Sequence, residues 1–145
     1  MTRTGKLVMG MALAALTASP SAWALNMTTI EVSLTGEGTG KMAITVDQSS
    51  VKTGRVTFEV KNDSTSETHE MLVAQVPSAD AELPYDAAKE RVVEGKLKKL
   101  GEVSSLKPGG TKLLTLDLTP GTYKLLCNMK GHYMAGMATI VTVTK

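Results

Sequence analysis

The sequence predicts an all-β fold, a sandwich or barrel of about eight short strands. Three observations carry that prediction. Runs of five to eight residues in which apolar and polar side chains alternate with a period of two recur along the chain. Clusters of Gly, Pro, Asn, Asp and Ser close those runs at regular intervals. Helical spacing is confined to one stretch, around 80–100.

The first residues stand apart from this pattern. Arg3 and Lys6 precede an apolar and glycine run over residues 7–16, after which Ser19-Pro20 breaks the helix and Ala22-Trp23-Ala24 offers a small-x-small cleavage site. The run is shorter than the roughly 20 apolar residues a bilayer span requires. Residues 1–24 therefore read as a cleaved signal peptide, which makes the mature chain an exported, periplasmic protein with no membrane insertion. Of 145 residues, 121 remain over 25–145, enough for a single domain. The whole chain has 16 basic and 14 acidic residues; Arg3 and Lys6 leave with the signal, so the mature balance is 14 against 14. That neutrality argues against a nucleic-acid partner, since phosphate binding draws on excess Lys and Arg.

The strands follow in order. Residues 29–34 alternate and end at the glycines of 36–40; residues 42–46 end at Asp47-Gln-Ser-Ser50. Residues 55–61 place Val56, Phe58 and Val60 on one face, and a loop over 62–67 leads to 69–76, closed by Pro77. Between 80 and 100 the composition shifts to Ala, Glu, Lys and Leu. Pro84 suits a first helical turn, and Ala88, Val92, Val93 and Leu97 recur at helical spacing with Gly95 interrupting. A short helical insertion, a solvated flap over one end of the sheet, is expected there. Strands resume at 102–106, 113–118, 122–127 and 138–143, separated by Lys107-Pro-Gly-Gly110 and Thr119-Pro-Gly121.

One stretch concentrates chemistry. Cys127-Asn-Met-Lys-Gly-His132-Tyr-Met-Ala-Gly-Met137 holds the only cysteine and one of two histidines, spaced Cys-x4-His-x4-Met. Each has an ordinary explanation alone: a lone Cys is usually a buried inert thiol, a lone His a core or surface residue, a Met before a strand a core residue. An exported chain with a single Cys cannot staple itself, and the three together suit a metal better. Alternation points Cys127 inward at the end of its strand, and Gly131 and Gly136 permit a tight loop. His69, the other imidazole, opens a strand and can reach the same end of the sandwich. Two His and one Cys with a weak Met are the ligands of a blue-copper electron-transfer site.

At these residues the chain resembles the cupredoxins, the small blue-copper proteins. The resemblance rests on the Cys127–Met137 loop, on Lys61-Asn-Asp ahead of Thr68-His69-Glu70, on Leu106-Lys-Pro-Gly-Gly-Thr-Lys, and on Pro120-Gly-Thr-Tyr-Lys-Leu-Leu-Cys127. The four residues between Cys127 and His132 are closer to azurin-like and rusticyanin-like members than to plastocyanins. It covers the whole mature chain and is weakest over 80–100. It implies a Greek-key sandwich with one type 1 copper per chain, His69, Cys127 and His132 as equatorial ligands and Met137 as the axial one. It also implies a monomeric one-electron carrier that passes electrons through His132. A redox partner protein would dock on the rim of Met129, Tyr133 and Met134, with Met71 nearby, if these do not simply fill the core. One departure stands out: many members have Asn directly after the first His, tying the two ligand loops, where this chain has Glu70. Asn62 and Asn128 are the other candidates for that tie.

Other functions use the same residues differently. A periplasmic copper-binding protein for tolerance or delivery would exploit the thioethers of Met71, Met129, Met134 and Met137, which favour Cu(I). A copper oxidase or nitrite reductase needs further histidines, and both here are used. A structural zinc site rarely takes Met, and a metal-free adhesion sandwich leaves the loop spacing unexplained.

Overall fold

The computed structural model describes residues 27–145; the signal peptide expected at 1–24 lies outside the described residues. The alternating runs form strands as their period dictates. In β1 (Met27–Thr35) one face buries Ile30, Val32 and Leu34, and in β4 (Gly54–Asn62) the same alternation buries Val56, Phe58, Val60 and Asn62. The two pair in parallel with Ile30 opposite Phe58 and Val32 opposite Val60. With β2 (Ala43–Val46) and β9 (Thr111–Leu118) they make a four-stranded sheet in the order β2-β1-β4-β9.

The second sheet has the order β3-β11-β10-β5-β8. Its members are β3 (Ser50–Lys52), β5 (His69–Val76), β8 (Lys98–Leu106), β10 (Gly121–Leu126) and β11 (Ala138–Thr144). The sheets face each other as a Greek-key sandwich whose core includes Phe58, Met71, Val73, Tyr123, Leu125 and Val141, and continues at one end into Cys127 and Met137. The chain crosses between sheets from β4 to β5 and from β9 to β10, and β5 and β10 pair as neighbours in the second sheet, with Leu72 opposite Leu126. That register brings residue 69 and residue 127 to the same edge of the core.

Where a helical insertion was expected around 80–100, helix is confined to one 3-10 turn at Glu94–Lys96, and β8 starts at Lys98. Before it, β6 (Tyr85–Asp86) and β7 (Arg91–Val92) form a small hairpin. Together with β3 they raise the number of strands to eleven among the described residues. The segment is solvent-exposed along most of its length, and it also serves as cover. The middle of β5 and the end of β10 are buried on both faces, so the outward side chains Leu72 and Leu126 need cover. Val92 supplies it, with Leu83, Tyr85 and Leu97 packed around this second cluster. Gly95 and the β-branched pair Val92-Val93 disfavour helix, and burying Val92 against the sheet favours an extended chain there. Lys124, also facing outward, pins the segment by donating from Nζ to the Ala81 carbonyl at 2.6 Å.

Candidate metal centre

The site grows out of β10. Tyr123, Leu125 and then Cys127 fall on the inward face, and Cys127 is wholly buried. The chain then coils on itself. His132 N–H donates to Met129 O, Ala135 N–H to Gly131 O, Gly136 N–H to Tyr133 O and Met137 N–H to His132 O, each at 3.0–3.1 Å. Cys127 N–H closes the loop on Met137 O at 3.1 Å. Two residues in the left-handed region make this possible, Gly131 at φ 81° and Gly136 at φ 104°.

His69 opens β5 and is 0% exposed. Its Nε2 lies 3.2 Å from the Gly36 carbonyl, an acceptor only, so Nε2 carries the proton and Nδ1 presents a lone pair inward. Nδ1 of His69 is 3.2 Å from Nδ1 of His132, which is 3.4 Å from Cys127 Sγ, and the three donor atoms lie within 4.8 Å of one another. Burial pushes the Cys127 thiol up to about 11 and, with His69 close by, holds the His132 imidazole below its usual range. The His132 imidazole is thereby kept ready to coordinate. Buried nitrogens aimed at each other are repulsive unless a cation or proton lies between them. Two imidazoles with one thiolate are the equatorial donor set of a type 1 copper centre, so the residues fit the metal.

Met137, expected as a fourth ligand, is 0% exposed, and its main chain is bonded to both Cys127 and His132. Of the expected rim, Met71 is buried in the main core, Met129 packs against it, and Tyr133 joins the outer cluster, its ring 6.2 Å from that of Tyr85. Met134 alone stands well out, at 67% exposure.

The tie between the ligand loops falls to Glu70. Its N–H donates to Cys127 Sγ at 3.5 Å. Burial, then the nearby Glu94 carboxylate, holds Glu70 above the usual carboxylate range. Asn62 instead organises the approach to His69. Buried completely, it donates to Glu67 O and Leu106 O at 2.8 Å and accepts from Ser64 N–H and hydroxyl at 3.0 and 2.6 Å. Asn128 turns its side chain away, toward Val92.

Sequence reasoning missed Glu37. Its carboxylate accepts from the N–H and hydroxyl of both Thr65 and Ser66, while Gly38 N–H donates back to Glu67 at 3.2 Å. This fastens the loop carrying Gly36, and so the carbonyl that orients His69, to the loop before β5. The hydroxyl of Ser66 first, then the N–H of Thr65, hold the Glu37 carboxyl down at about 2 against an ordinary 4.5. A carboxyl depressed in the fold stabilises it fully above the ordinary value and loses that contribution as pH falls toward 2. The expected result is an acid-unfolding curve with a loss between about 4.5 and 2 that Glu37→Gln flattens. Superimposable curves for the two proteins would remove Glu37 from the account.

With fold and site in place, the chain can be set beside known proteins. The model of the cupredoxin-like domain family matches residues 6–140, and the chain belongs to that family. Comparison with curated proteins finds no match. Among solved structures, auracyanin A, described as a blue copper protein of the green thermophilic photosynthetic bacterium Chloroflexus aurantiacus, is similar at 25% identity and TM-score 0.55, over 81% of this chain and 99% of that one. Reduced auracyanin from Roseiflexus castenholzii is similar at 24% identity and TM-score 0.57, over 81% and 98%. Rusticyanin from Thiobacillus ferrooxidans is similar at 19% and 0.59, over 81% and 77%.

Proposed function

We propose that this is an exported type 1 copper protein that carries single electrons between redox partners in the periplasm. His69, Cys127, His132 and Met137 would hold the copper, two imidazoles, a thiolate and a thioether. The observation that carries this reading is the convergence of two imidazole Nδ1 atoms and one thiol within 4.8 Å, in a buried pocket. Copper bound there supplies a one-electron Cu(II)/Cu(I) couple suited to a mixed N and S donor set. The chain does the rest. Closure of the loop by Cys127 N–H on Met137 O, and of His69 on Gly36 O, holds the donors in one arrangement for both oxidation states. Little then has to move when an electron arrives or leaves. His69, Cys127 and Met137 are 0% exposed while His132 is 9% exposed, which favours the His132 edge as the exit to a docked partner. The apolar start of the chain supports export, and no helix among the described residues is long and apolar enough to cross a membrane.

A second reading, copper tolerance or delivery, is favoured by one observation: the exposed thioether of Met134, two residues beyond His132. Copper titration of the purified chain tests both. One equivalent of Cu(II) giving an intense visible band, with Cu(I) uptake also saturating at one, is the expected result. Further Cu(I) equivalents would favour delivery, and a colourless Cu(II) protein would sink the type 1 assignment.

A further inference from the structure

The first half of the ligand loop is fastened to the segment outside the sandwich. Asn128, next to Cys127 and 2% exposed, accepts from Val92 N–H through Oδ1 at 2.6 Å and donates from Nδ2 to Val92 O at 2.9 Å. Its amide thus pairs with both main-chain groups of one residue, as a neighbouring strand would. Nδ2 also donates to Glu94 Oε1 at 3.0 Å, and Glu94 is held in turn by Lys99 at 2.9 Å. Two and three residues further on, Lys130 pairs with Glu90 at 3.1 Å and Gly131 N–H donates to Glu90 O at 2.9 Å. Glu90 sits in the left-handed region at φ 55°, unusual for a residue with a side chain. The segment is anchored elsewhere by Val92 in the outer cluster and by Lys124 on Ala81.

We infer that residues 77–97 form a strap that positions the Cys127 thiol, and that Asn128 is the positioning residue coupling strap to thiol. The inference rests on the copper reading for its consequence and on hydrogen bonds alone for its geometry. Cys127 N–H is already committed to Met137 O on the sandwich side. Asn128 fixes the following peptide from the opposite side, so the sulfur is set between two supports. A strap that only covered Leu72 and Leu126 would have no use for a buried amide with three partners, since a buried polar group is costly unless satisfied.

The test compares Asn128→Ala and Asn128→Asp with Val92→Ala. The last trims the same apolar cluster but leaves the main-chain groups of Val92 in place for Asn128. The first readout needs no copper: the alkylation rate of Cys127, the only thiol, by iodoacetamide in the metal-free protein. The Asn128 variants should label about tenfold faster than Val92→Ala, the low end of what supporting residues around a metal ligand contribute. In the copper-loaded protein they should also shift the visible band and the midpoint potential, and Val92→Ala should not. Labelling no faster than in Val92→Ala, with band and potential unchanged, overturns the inference. If Asn128→Ala does not fold, Glu94→Ala removes one of the three partners from the half-exposed side, and a smaller acceleration in it is required. A labelling difference in a chain that takes up no copper would keep the strap and refute the copper reading.

Discussion

Replacing Cys127 by serine should abolish the visible band of the Cu(II) protein while leaving a folded chain. The band requires charge transfer from a thiolate, and a serine hydroxyl neither ionises in this range nor offers a soft donor. The side chain is buried within reach of Glu70 N–H and His132 Nδ1, so a hydroxyl finds partners there and the loss of stability should stay within about 1–2 kcal/mol. The same variant exposes a proton linkage. Burial raises the thiol from an ordinary 9.0 to about 11, so the metal-free native state holds a proton that the unfolded chain releases first. A raised value stabilises the fold fully below the ordinary one and is lost as pH climbs through the raised one. Metal-free wild type should therefore weaken between about 9 and about 11, where Cys127→Ser shows no such loss. For the same reason copper uptake near neutral pH should release a proton from wild type. Denaturant titrations across that pH range check the first statement. A Cys127→Ser protein that kept the visible band would sink the assignment of Cys127.

The strands and the Cys127–Met137 loop were legible because both are written in local sequence. Period-two alternation fixes which side chain points inward, and that places Cys127 in the core as surely as Tyr123 and Leu125. His69 could be paired with it since the chain offers one other imidazole. Around 80–100 the helical insertion proved a minor feature, one 3-10 turn, because the partner of this segment is tertiary. The cue lay elsewhere: Met71-Leu-Val-Ala74 is apolar without a break, which marks a strand covered on both faces and therefore a second layer. Glu70 stood out as a departure, but it reaches Cys127 through its main-chain N–H, a contact its side chain does not announce in sequence. Glu37 gave no signal at all: its partners lie 28 and 29 residues away on another loop.

The largest effect on stability is expected at Asn62 rather than at any ligand. Its side chain fills all four of its hydrogen-bonding positions inside the protein, bridging Leu106 O at the end of β8 to Glu67 O and Ser64 in the loop before β5. Its main chain adds bonds to Gly109 and Gly110, so three chain segments meet on it. Alanine keeps the main-chain bonds and strips the others, stranding buried acceptors and the Ser64 N–H without water. Unsatisfied buried groups cost about 1–3 kcal/mol each, and partial relaxation of the loop returns some of it, so Asn62→Ala should destabilise by about 3–5 kcal/mol. Ser64→Ala, which removes a single hydroxyl partner, should cost about 1 kcal/mol and calibrates the scale. Urea unfolding of the metal-free proteins measures both. A loss below about 1 kcal/mol for Asn62→Ala would mean that water replaces the amide, and that the loop is not held by it. With the expected loss, copper retention should fall too, because the loop Asn62 organises ends at His69.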